Sequence, residues 1–306
     1  LRSRAGRRPR LSGGVFGQRK RRILYLPAPT ARMRESENRM EKRSLAKRMG
    51  QHAYLMRLLV RRNIKNQYYR SFIGILWTVL NPLLNMLVMA FVFSQIFGRG
   101  NTGGLDYSIY ILSGNIIFGI MRSSTSGSLP CLVGQRDMLQ KTKVPISMFP
   151  TANVFSSLVT FGFSFIALVV VALFRFWAGA YQFHWETIMV LVLLPAITLF
   201  SLGLSYFLSA LYVFFRDLKH IYSVLLTLWT YLTPLFYTID RLDNPMVSSV
   251  IEFNPMYHYV SYFRDLLVGN IPTLGEHIIC YAFGLGMFAF GALFLLAVRN
   301  KIAAKL

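Results

Sequence analysis

Long apolar segments alternate with short polar connections along most of the chain. A helix needs around 20 apolar residues to cross about 30 Å of hydrocarbon, and strands are much shorter. Six segments reach or approach that length, and only the second is short. They are expected at about 72–97, 107–121, 146–176, 188–215, 221–239 and 278–298. Asn81-Pro82 predicts a kink in the first segment, and Pro234 predicts a break in the fifth.

The longest connection, residues 240–277, joins the fifth and sixth segments. Its stretch 247–268 is partly apolar but too polar for a full span, which predicts a re-entrant or interfacial helix pair. The pattern therefore predicts an all-α membrane protein with six transmembrane helices and an outer re-entrant helical segment.

Residues 51–70, directly before the first span, show a helical apolar period interrupted by bases. The apolar positions are Tyr54, Leu55, Leu58, Leu59 and Ile64. The bases are Arg57, Arg61, Arg62 and Lys65. This pattern predicts an amphipathic helix in the membrane interface. A solvated helix or a calmodulin-like target is the alternative, and the position beside a span favours the interface.

Residues 1–49 are polar, basic and rich in Gly and Pro, so we expect a disordered tail before a transmembrane domain over 50–306. The opening arginines lack the apolar core that follows them in a cleavable signal peptide. The first span is therefore expected to act as an uncleaved signal. Because the chain begins with Leu, a start at Met33, Met40 or Met49 is a hypothesis that N-terminal sequencing would test.

The charge lies mainly at one end of the chain. Hydrophobic residues make up 54% of the sequence and charged residues only 15%, whereas a soluble domain has about a quarter. The net charge of +22 resembles that of a nucleic-acid-binding protein, but 21 of the 34 Lys and Arg fall in residues 1–72. The tail shows no nucleic-acid-binding fold and the remainder is lipid-soluble, which excludes that class.

The bases of the connections predict the orientation. One set of connections carries Arg136, Lys141, Lys143, Arg216, Lys219, Arg299, Lys301 and Lys305. The other set carries Arg99, Arg175, Arg241 and Arg264. Eight bases against four place the first set in the cytoplasm, together with both termini, as the positive-inside rule requires. The predicted location is the bacterial inner membrane.

The sequence carries no catalytic, cofactor-binding or metal-binding motif. It lacks a Gly-rich phosphate loop, a His-Glu-x-x-His pair and a Gly-x-Ser-x-Gly elbow, and its five histidines are scattered. Few ionisable groups fall inside the spans, which argues against ion-coupled transport. Cys131 and Cys280 match no metal spacing and are expected to be buried thiols.

Two features of the spans allow alternative interpretations. Arg122 follows the short second span, and we expect it to extend toward the cytoplasmic interface; an intramembrane partner or aqueous path is the alternative. Ser201, Ser205 and Ser209 share one face of the fourth span, where close helix packing is favoured over a polar conduit.

Six short motifs occur in order over residues 50–300. They are Leu55-Met56-Arg57-Leu58-Leu59, Gly74-Ile75-Leu76-Trp77, Leu139-Gln140-Lys141-Thr142-Lys143-Val144-Pro145, Phe214-Phe215-Arg216-Asp217-Leu218, Thr233-Pro234-Leu235-Phe236-Tyr237 and Asn254-Pro255-Met256. This ordered set resembles the membrane subunit of type 2 ABC exporters of cell-surface polysaccharide. Val144 stands directly before Pro145, which alters the family's usual spacing slightly.

The resemblance implies a homodimer in which each copy docks on a separate ATPase subunit that holds the ATP and Mg, with no cofactor in this chain. It implies that the segment 136–143 and the Arg216-Asp217 turn couple the spans to that ATPase. The docking candidates are Arg136, Asp137, Leu139, Lys141, Lys143, Arg216 and Asp217. The alternative is that these charges only enforce topology.

The resemblance also implies two gates. The basic face of the interfacial helix (Arg57, Arg61, Arg62, Lys65) would admit the anionic lipid headgroup of the substrate. An outer gate would contain Asn254, Pro255, Tyr262, Arg264 and Asp265.

The function implied is export of lipid-linked O-antigen, capsule or teichoic acid, by a transport subunit that is not itself an enzyme. A drug or lipid exporter of the same architecture is one alternative. A membrane-embedded glycosyl- or phosphotransferase is another, and it would need acids near a membrane face, such as Asp240, Asp243 and Glu252.

Overall fold

A computed structural model describes residues 50–66, 76–97, 104–141, 144–239 and 245–305. The chain divides into two compact units, Leu1–Gln51 and His52–Leu306, and nearly all described residues belong to the second. The predicted tail over residues 1–49 lies outside the described residues. Within the described ranges the structure is helical and contains no strand, which confirms the all-α class.

Eleven α-helices and one 3-10 helix are described. Helix α1 covers residues 50–66, and a 3-10 helix, Trp185–Met189, leads directly into α7. The others are α2 (Leu76–Phe97), α3 (Tyr107–Ser128), α4 (Cys131–Gly134), α5 (Arg136–Lys141), α6 (Met148–Trp177), α7 (Val190–Phe214), α8 (Leu218–Leu232), α9 (Pro245–Glu252), α10 (Pro255–Val268) and α11 (Leu274–Lys305).

Three described helices are long and apolar enough to cross a membrane: Met148–Trp177, Trp185–Phe214 and Leu274–Lys305. At 1.5 Å per residue each is about 45 Å long or more, which exceeds the hydrocarbon thickness. These helices agree with the predicted third, fourth and sixth apolar segments. Helix α2 matches the first segment over the residues described and stays helical through Asn81 and Pro82.

One predicted segment ends elsewhere in the structure. Helix α3 continues seven residues beyond the expected end at 121. Ser124 and Thr125 donate their hydroxyl protons to Ile120 O and Met121 O of the same helix, so these fully buried hydroxyl groups are paired inside the bundle.

Helix α8 stops at Leu232, which confirms the break predicted at Pro234 in the fifth segment. The residue before a proline is disfavoured in the helical conformation, and Thr233 before Pro234 is extended, with φ −95° and ψ 126°. Its 15 residues span only about 22 Å.

Helices α7 and α11 pack with their backbones in contact. A Cβ atom at Gly203 would overlap the backbone of Met287, and one at Gly291 would overlap the carbonyl group of Gly203. A Cβ at Gly284 would lie 2.6 Å from Ala196 O, which is also too close. The residue numbers of the contacting pairs increase together, from Ala196 with Gly284 to Gly203 with Gly291, so α7 and α11 run parallel. Small residues permit this approach, as in other membrane bundles.

Two of the helices that pack against α3 run antiparallel to it. Asp106, before α3, forms an ion pair of 2.7 Å with Arg175 at the end of α6, while Asn153 near the start of α6 donates to Gly127 O at 3.1 Å. Along α8, Tyr222 bonds to Thr125 (2.6 Å) and Thr230 bonds to Arg122 (2.6 Å). The direction of the chain therefore reverses between α3 and α6 and between α3 and α8.

The bundle has two distinct ends. One, called here the α5 end, holds an apolar cluster that joins α1, α4, α6, α7 and α11. The other, the α10 end, holds Asp106, Arg175, α9 and α10. Between the two ends, large apolar side chains face outward, including Phe174, Leu191, Val224 and Leu293. A surface of that kind is suited to lipid tails.

Candidate functional site

Helix α3 is buried on one side and polar on the other. Ile109, Ile117 and Met121 are fully buried in the main core. The opposite side carries small and polar residues at helical spacing, here called the α3 polar stripe: Asn115, Gly119, Arg122, Ser123, Ser126 and Gly127. The last four are exposed and the first two are half-buried. A polar stripe that the described part of the chain leaves uncovered is poorly suited to lipid.

Arg122 bonds sideways to α8. Its Nη2 donates to Thr230 Oγ1 at 2.6 Å, and its guanidinium carbon lies 5.3 Å from the centre of the Phe118 ring. The sequence led us to expect that Arg122 extends past the end of a short span. Because six residues of α3 follow Arg122, that expectation is wrong. The structure instead supports the alternative, in which Arg122 has a partner within the bundle.

At the α10 end, Arg264 holds the end of α8 against α3. Its Nη1 donates to Pro234 O at 2.8 Å, and its Nη2 donates to Tyr110 O at 3.1 Å and Leu235 O at 3.2 Å. The guanidinium carbon stacks 3.4 Å from the centre of the Tyr110 ring. Only 9% of Arg264 is exposed.

This cluster, called here the Arg264 clamp, has a clear physical cause. The backbone leaves the helix at Thr233 and Pro234, so carbonyl groups there lose their helical partners while staying buried. Unpaired buried carbonyls are costly, and arginine supplies five donors in one plane. Gly114 provides the space, since a Cβ there would lie 2.7 Å from Arg264 Nη2.

Asn254 joins the same region through a second set of bonds. Its Oδ1 accepts from Met256 N at 3.0 Å, which caps α10, and from Trp229 Nε1 at 2.8 Å. Its Nδ2 donates to Thr233 Oγ1 at 2.9 Å. Asn254 therefore ties the start of α10 to the end of α8.

The structure brings together some of the predicted outer-gate residues. Asn254 and Arg264 both hold the end of α8, and Pro255 is the first residue of α10. Tyr262 is buried and bonds instead to His277 at the start of α11, with 2.9 Å between Oη and Nε2. Asp265 is half-buried, and its backbone carbonyl accepts from Asn270 N. The charge count of the sequence analysis treated Arg264 as a base exposed in a connection. The structure shows instead that it is buried and bonds to backbone carbonyls.

Sequence reasoning missed the partners of this network. Tyr110 accepts from Arg264 and donates its own hydroxyl proton to Tyr237 O at 2.7 Å. Tyr107 donates likewise to Phe236 O at 2.9 Å. The available signal was the break at Pro234, because backbone groups freed by a proline in a membrane segment need donors from neighbouring helices.

The predicted coupling residues lie around the apolar cluster of the α5 end. Leu139 is half-buried and packs on that cluster, whereas Arg136, Asp137 and Lys141 are exposed. Lys143 lies outside the described residues. Two more exposed candidates, Arg216 and Asp217, lie in the turn between α7 and α8. They follow the end of α7, where Val213 belongs to the same cluster and Phe214 packs against it.

Helix α1 uses only part of its apolar surface for packing. Leu59 is 4% exposed and anchors α1 in the cluster, and Leu55 packs there too. Tyr54 and Leu58 point outward, with 66% and 44% of their surfaces exposed. The predicted single apolar face is therefore divided between protein and surroundings. The bases Arg57, Arg61, Arg62 and Lys65 are all exposed, and Arg62 donates from Nη1 to Gln135 Oε1 at 3.1 Å, so it faces the segment between α4 and α5.

Three further sequence predictions concern burial. Ser201, Ser205 and Ser209 are completely buried, which favours the packing interpretation over a conduit. Cys280 is buried, as expected, whereas Cys131 is only partly covered.

Comparison with known proteins gives one family and several relatives. Residues 54–268 match the ABC-2 type transporter family. The O-antigen export system permease protein RfbA of Myxococcus xanthus is 33% identical over 72% of this chain and 83% of its own length. The protein of the same name from Klebsiella pneumoniae is 28% identical over 81% and 93%. The polysialic acid transport protein KpsM of Escherichia coli is 19% identical over 70% and 81%.

The Arg264 clamp generates a stability prediction. Replacement Arg264→Met keeps an apolar stem but removes every donor, so Leu235 O loses the partner described for it, Pro234 O keeps only a long bond of 3.4 Å from Tyr110 Oη, and Tyr110 O keeps the Ser113 hydroxyl at 3.0 Å. We expect the free energy of unfolding in detergent to fall by roughly 2–4 kcal/mol. The matched control is Arg175→Met, which breaks a partly exposed ion pair and should cost less than about 1 kcal/mol. Equal losses in chemical or thermal unfolding of the two variants would contradict the clamp.

Proposed function

The chain belongs to the ABC-2 type transporter family, and we propose that it is the membrane-spanning permease subunit of an ATP-driven exporter of lipid-linked cell-surface polysaccharide. The observation that carries this proposal is the similarity to permeases named for O-antigen and capsule export, which extends over 81–93% of the length of those relatives. The substrate class is O-antigen, capsule or teichoic acid. In this proposal residues 50–306 form the transmembrane domain.

The proposed topology has six crossings in the bacterial inner membrane, with both ends in the cytoplasm. The helix directions support it, because α3 is antiparallel to α6 and α8, while α7 and α11 are parallel. Helix α8 is too short to cross alone, so the segment after it completes the crossing inside the protein. Helices α9 and α10 would form the outer re-entrant segment.

The transport path would lie between two copies of this chain. The α3 polar stripe is exposed, and an arginine in hydrocarbon costs several kcal/mol. Water or a second protein surface removes that cost. A bulky glycan needs a path wider than one helical bundle provides, and a symmetric pair of stripes would line such a path.

A separate ATPase subunit, with its own ATP and Mg, would supply the energy. Helix α5 supports a docking role because it combines exposed charges, Arg136, Asp137 and Lys141, with Leu139 anchored in the cluster below. That cluster also contains parts of α6, α7 and α11. A movement imposed on α5 or on the Arg216-Asp217 turn would therefore reach three long helices together.

Helix α1 would form the entry gate for the lipid headgroup. Its outward side combines the bases Arg57, Arg61 and Lys65 with the exposed Tyr54 and Leu58. Bases attract an anionic headgroup, and an exposed aromatic ring is suited to the interface. At the opposite end, the outer gate would contain α10, held by Asn254 and Arg264.

Deletion of the gene tests the function. We expect loss of the surface glycan and intracellular accumulation of its lipid-linked form, with unchanged drug susceptibility. Complementation with the intact gene is the control. Normal surface glycan with raised drug sensitivity would favour a drug exporter, and glycosyl transfer by the purified chain without an ATPase would favour a transferase. Either result contradicts the proposal.

The entry gate has its own test. Each base near an anionic surface contributes about 1 kcal/mol, so the double variant Arg61→Ala, Arg62→Ala should lower the rate of export several-fold. The amount of assembled protein should not change. Lys301→Ala, which removes another exposed base at the α5 end, is the control and should export normally. Unchanged export by the double variant would contradict a role of α1 as the entry gate.

A further inference from the structure

A polar groove of about 530 Å³ lies between α1, α3 and α6 at the α5 end. Among the described residues that line it, none is charged and none has an apolar side chain larger than glycine. The lining residues include Asn63, Ser123, Gly127, Asn153, Ser156 and Thr160. A site lined almost entirely by hydroxyl and amide groups is unusual in a membrane bundle, because each such group in contact with lipid costs free energy.

The hydroxyl groups of the groove present acceptors. Ser123 donates its proton to Ile120 O at 3.4 Å, Ser156 donates to Ala152 O at 2.7 Å, and Thr160 donates to Ser156 O at 3.2 Å. A hydroxyl group has one proton and two lone pairs. Since the proton is used within the helix, the oxygen can only accept further bonds.

The amide groups of the groove are held in place by one another. Asn63 Nδ2 donates to Asn153 Oδ1 at 2.8 Å, and Asn153 Nδ2 donates to Gly127 O at 3.1 Å. This chain of bonds links α1, α6 and α3 across the floor of the groove. It fixes the orientation of Asn153 before any ligand arrives, so less ordering is needed on binding.

The groove also leads toward a base. An adjoining cavity of about 260 Å³ shares Asn63, Gly127 and Asn153 with it and reaches Arg62 on α1. A glycan joined to its lipid through a phosphate carries an anion directly beside its first sugar. The uncharged groove and the neighbouring guanidinium match that order of groups.

We propose that the groove binds the sugar units adjacent to the lipid carrier, before the glycan enters the path along α3. Sugars carry a donor on every hydroxyl and so complement a surface rich in acceptors. An anion would instead be repelled by those oxygens, and a lipid tail would leave them unpaired. The assignment rests on the proposed function and names the substrate-recognition site within it.

A photoreactive dodecyl maltoside tests the groove without a transport assay. Irradiated with the intact chain in nanodiscs, it should label residues 123–127 and 153–160. The double variant Ser156→Ala, Thr160→Val removes two acceptors with little change in volume. Labelling should fall at least about fivefold, as expected for two lost hydrogen bonds. Thr198→Val, which alters a hydroxyl bonded only within α7, is the control and should label normally.

A second pair of variants tests the space itself. A Cβ at Gly127 would meet nothing nearer than the Asn153 side chain at 3.7 Å, so the side chain of Gly127→Phe enters the groove beside Asn153. It should abolish labelling there. Gly162→Phe, on the opposite side of α6 with open space around it, should not.

The outcomes separate this inference from the proposed function. The same photoreactive chain with a phosphocholine headgroup should show no preference for the groove. Equal labelling by both headgroups, or no effect of the variants, overturns the sugar site but leaves the proposed export function standing. If labelling behaves as expected but gene deletion leaves the surface glycan intact, the sugar site stands and the export function fails.

Discussion

A membrane segment must pair every backbone polar group inside the protein, and this requirement is most severe where α8 ends. The helix has 15 residues and its chain then passes through Thr233 and Pro234 in non-helical conformation. No water reaches such groups in hydrocarbon, so the freed carbonyls need donors from neighbours. Arg264 on α10 and Asn254 at its N-cap, with Tyr107 and Tyr110 from α3, provide them.

These bonds also determine which side of α3 remains open. With the end of α8 held on α3 and its middle joined through Thr125 and Tyr222, the buried side of α3 is covered. The polar stripe stays outside, and Arg122 stays on it with Thr230 as its partner. A clamp made by α10 thus leaves a polar surface exposed along a helix whose other side packs in the apolar core. Lipid cannot satisfy that surface, which is why a second copy of the chain and an aqueous path fit the structure.

The sequence predicted the elements whose pattern is strong and local. Uninterrupted apolar runs predicted α6, α7 and α11 to within a few residues at most ends, and the half-apolar stretch after α8 predicted the helix pair α9 and α10. The end of α3 was wrong because its last two turns are polar and depend on contacts with α6 and α8, whereas the break at Pro234 was predicted and α8 ends just before it. Arg264 was misjudged because a base in a connection normally faces water, and only tertiary structure shows the carbonyls it meets. The divided apolar surface of α1 likewise depends on which neighbours pack against it.

Solvent access to the α3 polar stripe tests the central claim most directly. In a chain with Cys131 and Cys280 replaced, a thiol introduced by Ser126→Cys should react rapidly with a charged, membrane-impermeant reagent, because only water allows the thiolate to form. Val170→Cys, on the outward apolar side of α6, should remain unreactive. If both thiols are equally unreactive, the stripe is covered or faces lipid, and the proposed path along α3 is wrong.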